Sequence, residues 1–225
     1  MLKHEVVSNE VLNDKFILIT LKAKGKIDFK IGQFVLIKVG KSITRAYSIA
    51  STPEELPFWK IFVDITPGGP GTTYLKKLKP KDIIETTLPS GQFILGGKSN
   101  CYIFGATGCG IAPFIPMIES LLEKDKKVHL FWGLRHKKEI ALKHVLSDWI
   151  KNKNFEYEVI LSQPEEAWEG KTGHISQYLL NKAKSMNKTN YNIYLSGSRN
   201  FINEVSLLLQ DNKIPAKKIF FEACY

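Results

Sequence analysis

The chain has 225 residues, 44% of them hydrophobic and 24% charged, with 32 Lys and Arg against 22 Asp and Glu for a formal net charge of +10. That composition belongs to a folded chain with one or two buried cores and excludes a disordered tail protein. Three cysteines, Cys101, Cys109 and Cys224, exclude a disulfide framework and cannot supply the four thiolates of an on-board iron–sulfur cluster.

The start, Met1-Leu2-Lys3-His4-Glu5, has no apolar run behind it, and no stretch approaches the roughly 20 apolar residues of a membrane span, so the expected address is a reducing cytoplasm with no membrane insertion. The positive charge is spread evenly. Residues 1–97 carry 14 basic and 9 acidic residues and residues 98–225 carry 18 and 13, which leaves no dense run to expect as a nucleic-acid surface. No spacing points to a metal site.

In chain order, Phe16 to Leu21 and Phe34 to Val39 are apolar runs of strand length, and Trp59, Ile61, Val63 and Ile65 alternate with Lys60, Phe62 and Asp64. Gly25, Gly32, Gly40, Pro53, Pro57 and the cluster from Pro67 to Gly71 punctuate them, a pattern that suits an antiparallel barrel or sandwich. A short helix is predicted over Thr72 to Leu78, directly after the Pro-Gly-Gly-Pro-Gly loop. The polar segment from Gly96 to Asn100 is the joint, with domains at 1–97 and 98–225. Beyond it the period changes. Strand-like runs at Cys101 to Gly105, Val128 to Trp132, Tyr157 to Leu161, Ile193 to Leu195 and Ile219 to Phe221 alternate with helical patterns, the clearest being Ile111, Phe114, Ile115, Ile118, Leu121 and Leu122 and then Phe201, Ile202, Val205, Leu208 and Leu209. Five strands and four helical stretches predict a doubly wound parallel sheet.

Three constellations carry chemistry. In Arg45-Ala46-Tyr47-Ser48, a cation and an aromatic ring share one face of a strand, where a flat, phosphate-bearing ligand could lie. In Pro67-Gly68-Gly69-Pro70-Gly71-Thr72-Thr73, glycines before a helix start expose backbone amides to an anion. In Gly105-Ala106-Thr107-Gly108-Cys109-Gly110-Ile111-Ala112-Pro113, a strand, a glycine-rich turn and a helix opening at Ala112 with Pro113 in its first turn form the arrangement that seats a nucleotide diphosphate, with glycines spaced G-x-x-G-x-G. Three further strand ends, near Arg135, Ser162 and Ser196-Gly197, outline a crevice at the carboxyl edge of the predicted sheet.

With these segments in order, the chain resembles the ferredoxin–NADP reductase superfamily of FAD-dependent NAD(P)H oxidoreductases over nearly its whole length. Arg45-Ala46-Tyr47-Ser48 is similar to that family's flavin motif, Gly69-Pro70-Gly71-Thr72 to its Gly-x-x-Ser/Thr motif, Gly105 to Pro113 to its NAD(P) loop, and Ser196-Gly197 to its Cys-Gly pair. The resemblance implies an N-terminal antiparallel Greek-key β-barrel for FAD followed by a five-stranded parallel domain for NAD(P). It also implies roles. Tyr47 would stack on the isoalloxazine and Ser48 would bond near its N5, while Arg45, Gly69, Gly71 and the Thr72 and Thr73 amides would hold the FAD phosphates. Tyr225 would cover the flavin and Glu222 would sit beside N5. Gly105, Thr107, Gly108, Cys109, Gly110, Pro113, Arg135, Ser162, Ser196 and Gly197 would receive NADH or NADPH, with Tyr47, Ser48, Ser196 and Glu222 nearest the chemistry.

Two departures stand out. Ser196 occupies a position where many relatives have Cys, and Gln163 follows Ser162 where many NADPH-using members have Arg. The expected activity is hydride exchange between NAD(P)H and bound FAD, with electrons passed to or from ferredoxin, flavodoxin or another redox protein. The alternatives are a reductase that releases free reduced flavin, and an electron-transfer subunit of a multicomponent oxygenase or other complex.

Overall fold

In the segment Phe16–Ala23, Ile17, Ile19 and Leu21 are buried while Leu18, Thr20 and Lys22 are more exposed, the two-residue alternation of a strand with one face on a core. It belongs to the first of two units. The computed structural model describes residues 1–186 and 190–224, and contacts divide the chain into residues 1–95 with 112–117, and residues 96–111 with 118–225.

The first unit is an antiparallel sheet of six strands, β1 (Leu2–Val11), β2 (Phe16–Ala23), β3 (Phe34–Lys38), β4 (Thr44–Ser48), β5 (Phe58–Asp64) and β6 (Ile83–Thr86), in the order β4-β3-β6-β1-β2-β5. The long return that brings β6 back beside β1 is the Greek-key connection. The edges meet. An antiparallel bridge joins Ile49 to Ile61, the Ala50 N–H donates to the Lys60 carbonyl at 2.8 Å, and the Lys60 N–H donates to Ser51 Oγ at 3.0 Å. These bonds close β4 against β5, so the sheet curls into a barrel around Trp59, Ile61, Val35 and Ile37.

Strand β1 was not legible in the sequence. Its core-facing positions include a histidine, and a bulge between Val6 and Ser8 breaks the alternation. His4 is 1% exposed. Trp59 Nε1–H donates to His4 Nδ1 at 3.2 Å, which leaves Nε2 to carry the proton and donate to Thr86 Oγ1 at 2.9 Å; Thr86 in turn donates to the Thr87 carbonyl. Every polar atom of the imidazole is satisfied as the neutral ring, and burial lowers its pKa to about 4.

Helix α1 runs Pro70–Lys76, two residues ahead of the expected span, because Gly69 supplies the extended N-cap and Pro70 fits the first turn. Its far end is held from β1. Asn9 Nδ2 donates to the Leu75 and Leu78 carbonyls at 3.0 and 2.9 Å, satisfying acceptors the helix leaves open.

The second unit contains β7 (Cys101–Thr107), α2 (Phe114–Leu122), β8 (Lys127–Leu134), α3 (Lys143–Trp149), β9 (Phe155–Leu161), β10 (Lys171–Thr172), α4 (Ile175–Ser185), β11 (Tyr191–Gly197), α5 (Arg199–Asp211) and β12 (Ile219–Ala223), although contacts group the first turn of α2 with the first unit. All of its strands are parallel, in the order β10-β9-β8-β7-β11-β12. The order reverses between β7 and β11, which defines a doubly wound sheet and its switch point. The sheet has six strands where the sequence predicted five; the extra one, β10, is a two-residue edge too short to leave a periodic signal. The helix expected to open at Ala112 starts at Phe114, after a 3-10 turn over Gly108–Ile111. Pro113 disfavours helical backbone at the preceding Ala112 and so holds the helix start behind it.

Candidate nucleotide sites

In the barrel, Arg45 and Tyr47 project from β4 at alternate positions. Arg45 is exposed and its Nη1 donates to the Thr44 carbonyl at 2.8 Å, whereas Tyr47 is buried at 8% exposure. The first turn of α1 comes down on both. A Cβ added at Gly71 would overlap Tyr47 Oη and lie 3.0 Å from Arg45 Cγ, so only glycine lets the turn approach β4 this closely. A guanidinium, a phenol ring and the amides of a helix's first turn therefore share one place, the donor set that an aromatic ligand with a diphosphate needs. Ser48 follows at the end of β4, half-buried and paired with Phe34.

The threonines of this loop differ from each other. The Thr73 N–H donates to the Gly69 carbonyl at 3.0 Å as the first bond of the helix, and its hydroxyl donates to Gly68 at 3.3 Å. The Thr72 hydroxyl also donates to Gly69 O, at 3.0 Å, and the amides of Gly71 and Thr72 belong to the first turn, whose N–H groups have no partner within the helix. The four residues expected at the phosphates from this loop, Gly69, Gly71, Thr72 and Thr73, stand together at the start of α1, with Gly69 as its N-cap.

At the carboxyl edge of the parallel sheet, β7 ends at Thr107 and the chain turns through Gly108, whose φ of +54° favours glycine and whose missing Cβ faces open space. Trp132 Nε1–H donates to the Gly108 carbonyl at 2.9 Å and pins the turn to β8. Gly110 is buried, and a Cβ there would overlap the Ser196 carbonyl. Gly197 is equally closed by Thr107 Oγ1. Gly110, Thr107 and Gly197 thus lock the ends of β7 and β11 together at the switch point, with Cys109 half-exposed on the turn. Gly105 has another job, because a Cβ would lie 2.7 Å from Leu179 Cδ1 of α4; it is a packing glycine inside the sheet.

The remaining predicted positions divide. Ser162 and Arg135 lie together where β9 and β8 end, with the Ser162 N–H donating to Leu134 O at 2.9 Å and the Gln163 N–H to Arg135 O at 3.0 Å. The Arg135 N–H donates to the Glu139 carboxylate at 3.0 Å, a buried anchor the sequence reading missed for lack of any motif around it. Ser196 reaches the edge but its side chain is fully buried, with Oγ 3.7 Å from Cys224 Sγ. Glu222 is paired with Ser196 across β11 and β12. Burial, the neighbouring Cys109 thiol and the nearby Glu222 charge push the Cys224 thiol up to about 12, against the Ser196 hydrogen bond. Cys224 is the residue at this edge that the sequence reading passed over. Pro113 is buried just ahead of α2, and Tyr225 lies outside the described residues.

Two family models match the chain in succession, an oxidoreductase FAD-binding domain over residues 1–94 and an oxidoreductase NAD-binding domain over residues 104–206. The chain belongs to the ferredoxin–NADP reductase superfamily. Among its curated relatives, a protein named ferredoxin–NADP reductase B from Sorangium cellulosum is 30% identical over 158 residues, covering 67% of this chain and 65% of that one. The anthranilate 1,2-dioxygenase electron transfer component of Acinetobacter baylyi is 25% identical over 202 residues, covering 88% of this chain and 58% of the relative. The chain thus spans about three fifths of the length of these two superfamily members. Among solved structures, the Amycolatopsis cytochrome P450 reductase GcoB shares the fold with a TM-score of 0.90 at 20% identity, over 99% of this chain and 69% of that one. The ferredoxin reductase in carbazole 1,9a-dioxygenase does so with a TM-score of 0.89 at 22% identity, over 100% of this chain and 69% of that one. Among the described residues no helix is long and apolar enough to cross a membrane, and no group of three or more His, Cys, Asp or Glu is set to hold a metal.

Proposed function

We propose that the chain is an FAD-dependent oxidoreductase that takes reducing equivalents from NADH or NADPH and delivers them to ferredoxin, flavodoxin or another small redox protein in a reducing cytoplasm. The observation that carries this reading is the convergence of Arg45, Tyr47 and the Gly71 turn, since a grip for a diphosphate and a flat ring together suits a retained dinucleotide better than a passing free flavin. Bound FAD supplies hydride acceptance from a nicotinamide and release of electrons singly or in pairs. The protein's work is placement.

Arg45 neutralises phosphate charge, the Gly71 and Thr72 amides donate to it, and Tyr47 and Ser48 hold the ring end. In the second unit, the backbone of Gly108 to Gly110 receives the nicotinamide nucleotide's diphosphate, and Arg135 and Ser162 border its adenosine end. Ser196, being buried, contributes by positioning through Cys224 and Glu222. Fixing two flat rings in reacting orientation is worth orders of magnitude in rate without any acid or base. The formal charge of +10 favours acidic carriers, with association weakened by salt.

The test is purification followed by desalting. A yellow protein that keeps FAD and reduces ferredoxin with NAD(P)H is expected. A colourless protein that turns over added riboflavin or FMN instead replaces this reading with a free-flavin reductase. The names of the dioxygenase relatives favour one further reading, an electron-transfer subunit, whose sign is NAD(P)H oxidation only when partner proteins are added.

A further inference from the structure

The three cysteines are distributed unequally in the second unit. Cys101 opens β7 and is 1% exposed, whereas Cys109 follows the other end of that strand. Six residue steps at about 3.3 Å, from Cys101 to Thr107, separate the two ends of the strand by roughly 20 Å, beyond any disulfide. Cys224 is at Cys109's end. Strand β11 lies between β7 and β12, with Ser196 paired to Ala106 on one side and Glu222 on the other. The turn bearing Cys109 folds over the end of β11, since Gly110 packs directly on the Ser196 carbonyl. From the other side, the Cys224 N–H donates to the Gly197 carbonyl at 2.7 Å, and its thiol lies 3.7 Å from Ser196 Oγ. The turn that carries Cys109 and the thiol of Cys224 therefore converge on the same two residues, Ser196 and Gly197, and Cys109 is the largest electrostatic neighbour of Cys224.

We propose that Cys109 and Cys224 form a reversible disulfide that ties the glycine turn of the second unit to the chain beyond β12 and closes the turn to nucleotides. The oxidant is a peroxide. Cys109, half-exposed, attacks one peroxide oxygen; with hydrogen peroxide this yields a sulfenic acid and releases one water. The Cys224 sulfur then displaces the sulfenic hydroxyl, and the Cys224 proton leaves with it as a second water. Two thiols and one hydrogen peroxide become one disulfide and two waters, with two electrons passing from sulfur to oxygen. A dithiol reverses the step. The bond needs no functional assignment, whereas its effect on nucleotides rests on reading Gly108 to Gly110 as the NAD(P) seat.

The full chain is reduced, exposed to one equivalent of hydrogen peroxide, unfolded, alkylated and digested without reductant, and its peptides are mapped by mass spectrometry. The expected result is a Cys109 peptide joined to a Cys224 peptide, alkylated Cys101 and a mass lower by about 2 Da. Calorimetry on the same sample is expected to show affinity for NADH and NADPH reduced by about tenfold or more and restored by dithiothreitol. In Cys224→Ser the expected product is a sulfenic acid at Cys109, trapped by dimedone, with no cross-link. Complete alkylation of both cysteines after peroxide, or a link found only between two copies, overturns the proposal. A link with unchanged nucleotide affinity overturns the closure. Should the reduced chain bind neither nucleotide, the functional reading is what fails, and the peptide map still decides the disulfide.

Discussion

In the barrel loop from Pro67 to Thr73, Cβ atoms at Gly68 and Gly69 would meet nothing while Gly71 is closed off, whereas at the edge of the parallel sheet Gly110 and Gly197 are each blocked by atoms of the opposite strand end. The barrel loop is held from within, by threonine hydroxyls on its own carbonyls, while Asn9 of β1 holds the far end of α1. The sheet edge is held from without, by interlocked strand ends and the Trp132 bond. One loop has room to settle on its ligand, and the other is set in advance, which lowers the ordering cost of binding.

Substitutions that violate each kind of packing should break this contrast to different degrees. The largest effect is expected for Gly110→Ala, where the new methyl meets the Ser196 backbone and cannot be accommodated by a rotamer change. Its unfolding free energy in urea should fall by about 3 kcal/mol or more, with nucleotide binding lost. An unchanged denaturation midpoint would show that the strand ends are not interlocked.

The second effect belongs to the barrel core and is set by pH. Because the His4 pKa is lowered from 6.5 to about 4 in the fold, the unfolded chain takes up a proton that the folded one refuses. The stabilisation is complete above pH 6.5, drains as pH falls from there, and is gone below about 4. For this buried ring the lowering corresponds to roughly 3 kcal/mol, and His4→Gln should flatten that part of the stability profile. A profile identical in His4→Gln would contradict the assignment.

Gly71→Ala comes next. Its methyl meets the end of a side chain, Tyr47 Oη, so the fold should survive while FAD affinity falls by about 10- to 100-fold by fluorescence titration. Smallest is Asn9→Ala, which uncovers the Leu75 and Leu78 carbonyls at the helix end and should cost about 1 to 2 kcal/mol with little change in FAD affinity. If Asn9→Ala weakened FAD as much as Gly71→Ala does, the loop would be less self-contained than its hydrogen bonds imply.

What the sequence disclosed follows from the range of each signal. Strands such as Phe16–Ala23 and Cys101–Thr107 are written in local alternation or an unbroken apolar run, and the loops at 67–73 and 105–110 in clustered glycines, so these elements stand out in the sequence. Strand β1 was hidden by a bulge and by an inward-facing His4, whose partners Trp59 and Thr86 lie 55 and 82 residues away. The same holds for Asn9 on α1 and for Cys224 beside Ser196, contacts set by topology with no local spacing to announce them. The purpose of individual glycines was also illegible. Gly105 and Gly108 look alike in the sequence, yet one accommodates Leu179 and the other a positive φ beside open space.

The proposed activity requires that one chain hold both FAD, in its barrel, and a nicotinamide nucleotide, at its sheet edge. Anaerobic titration of the FAD-loaded protein with NADH or NADPH, followed by visible absorbance, tests it most directly. The account predicts that the flavin band bleaches at one reduced nucleotide per flavin. A flavin that stays oxidised under excess of both nucleotides would contradict it.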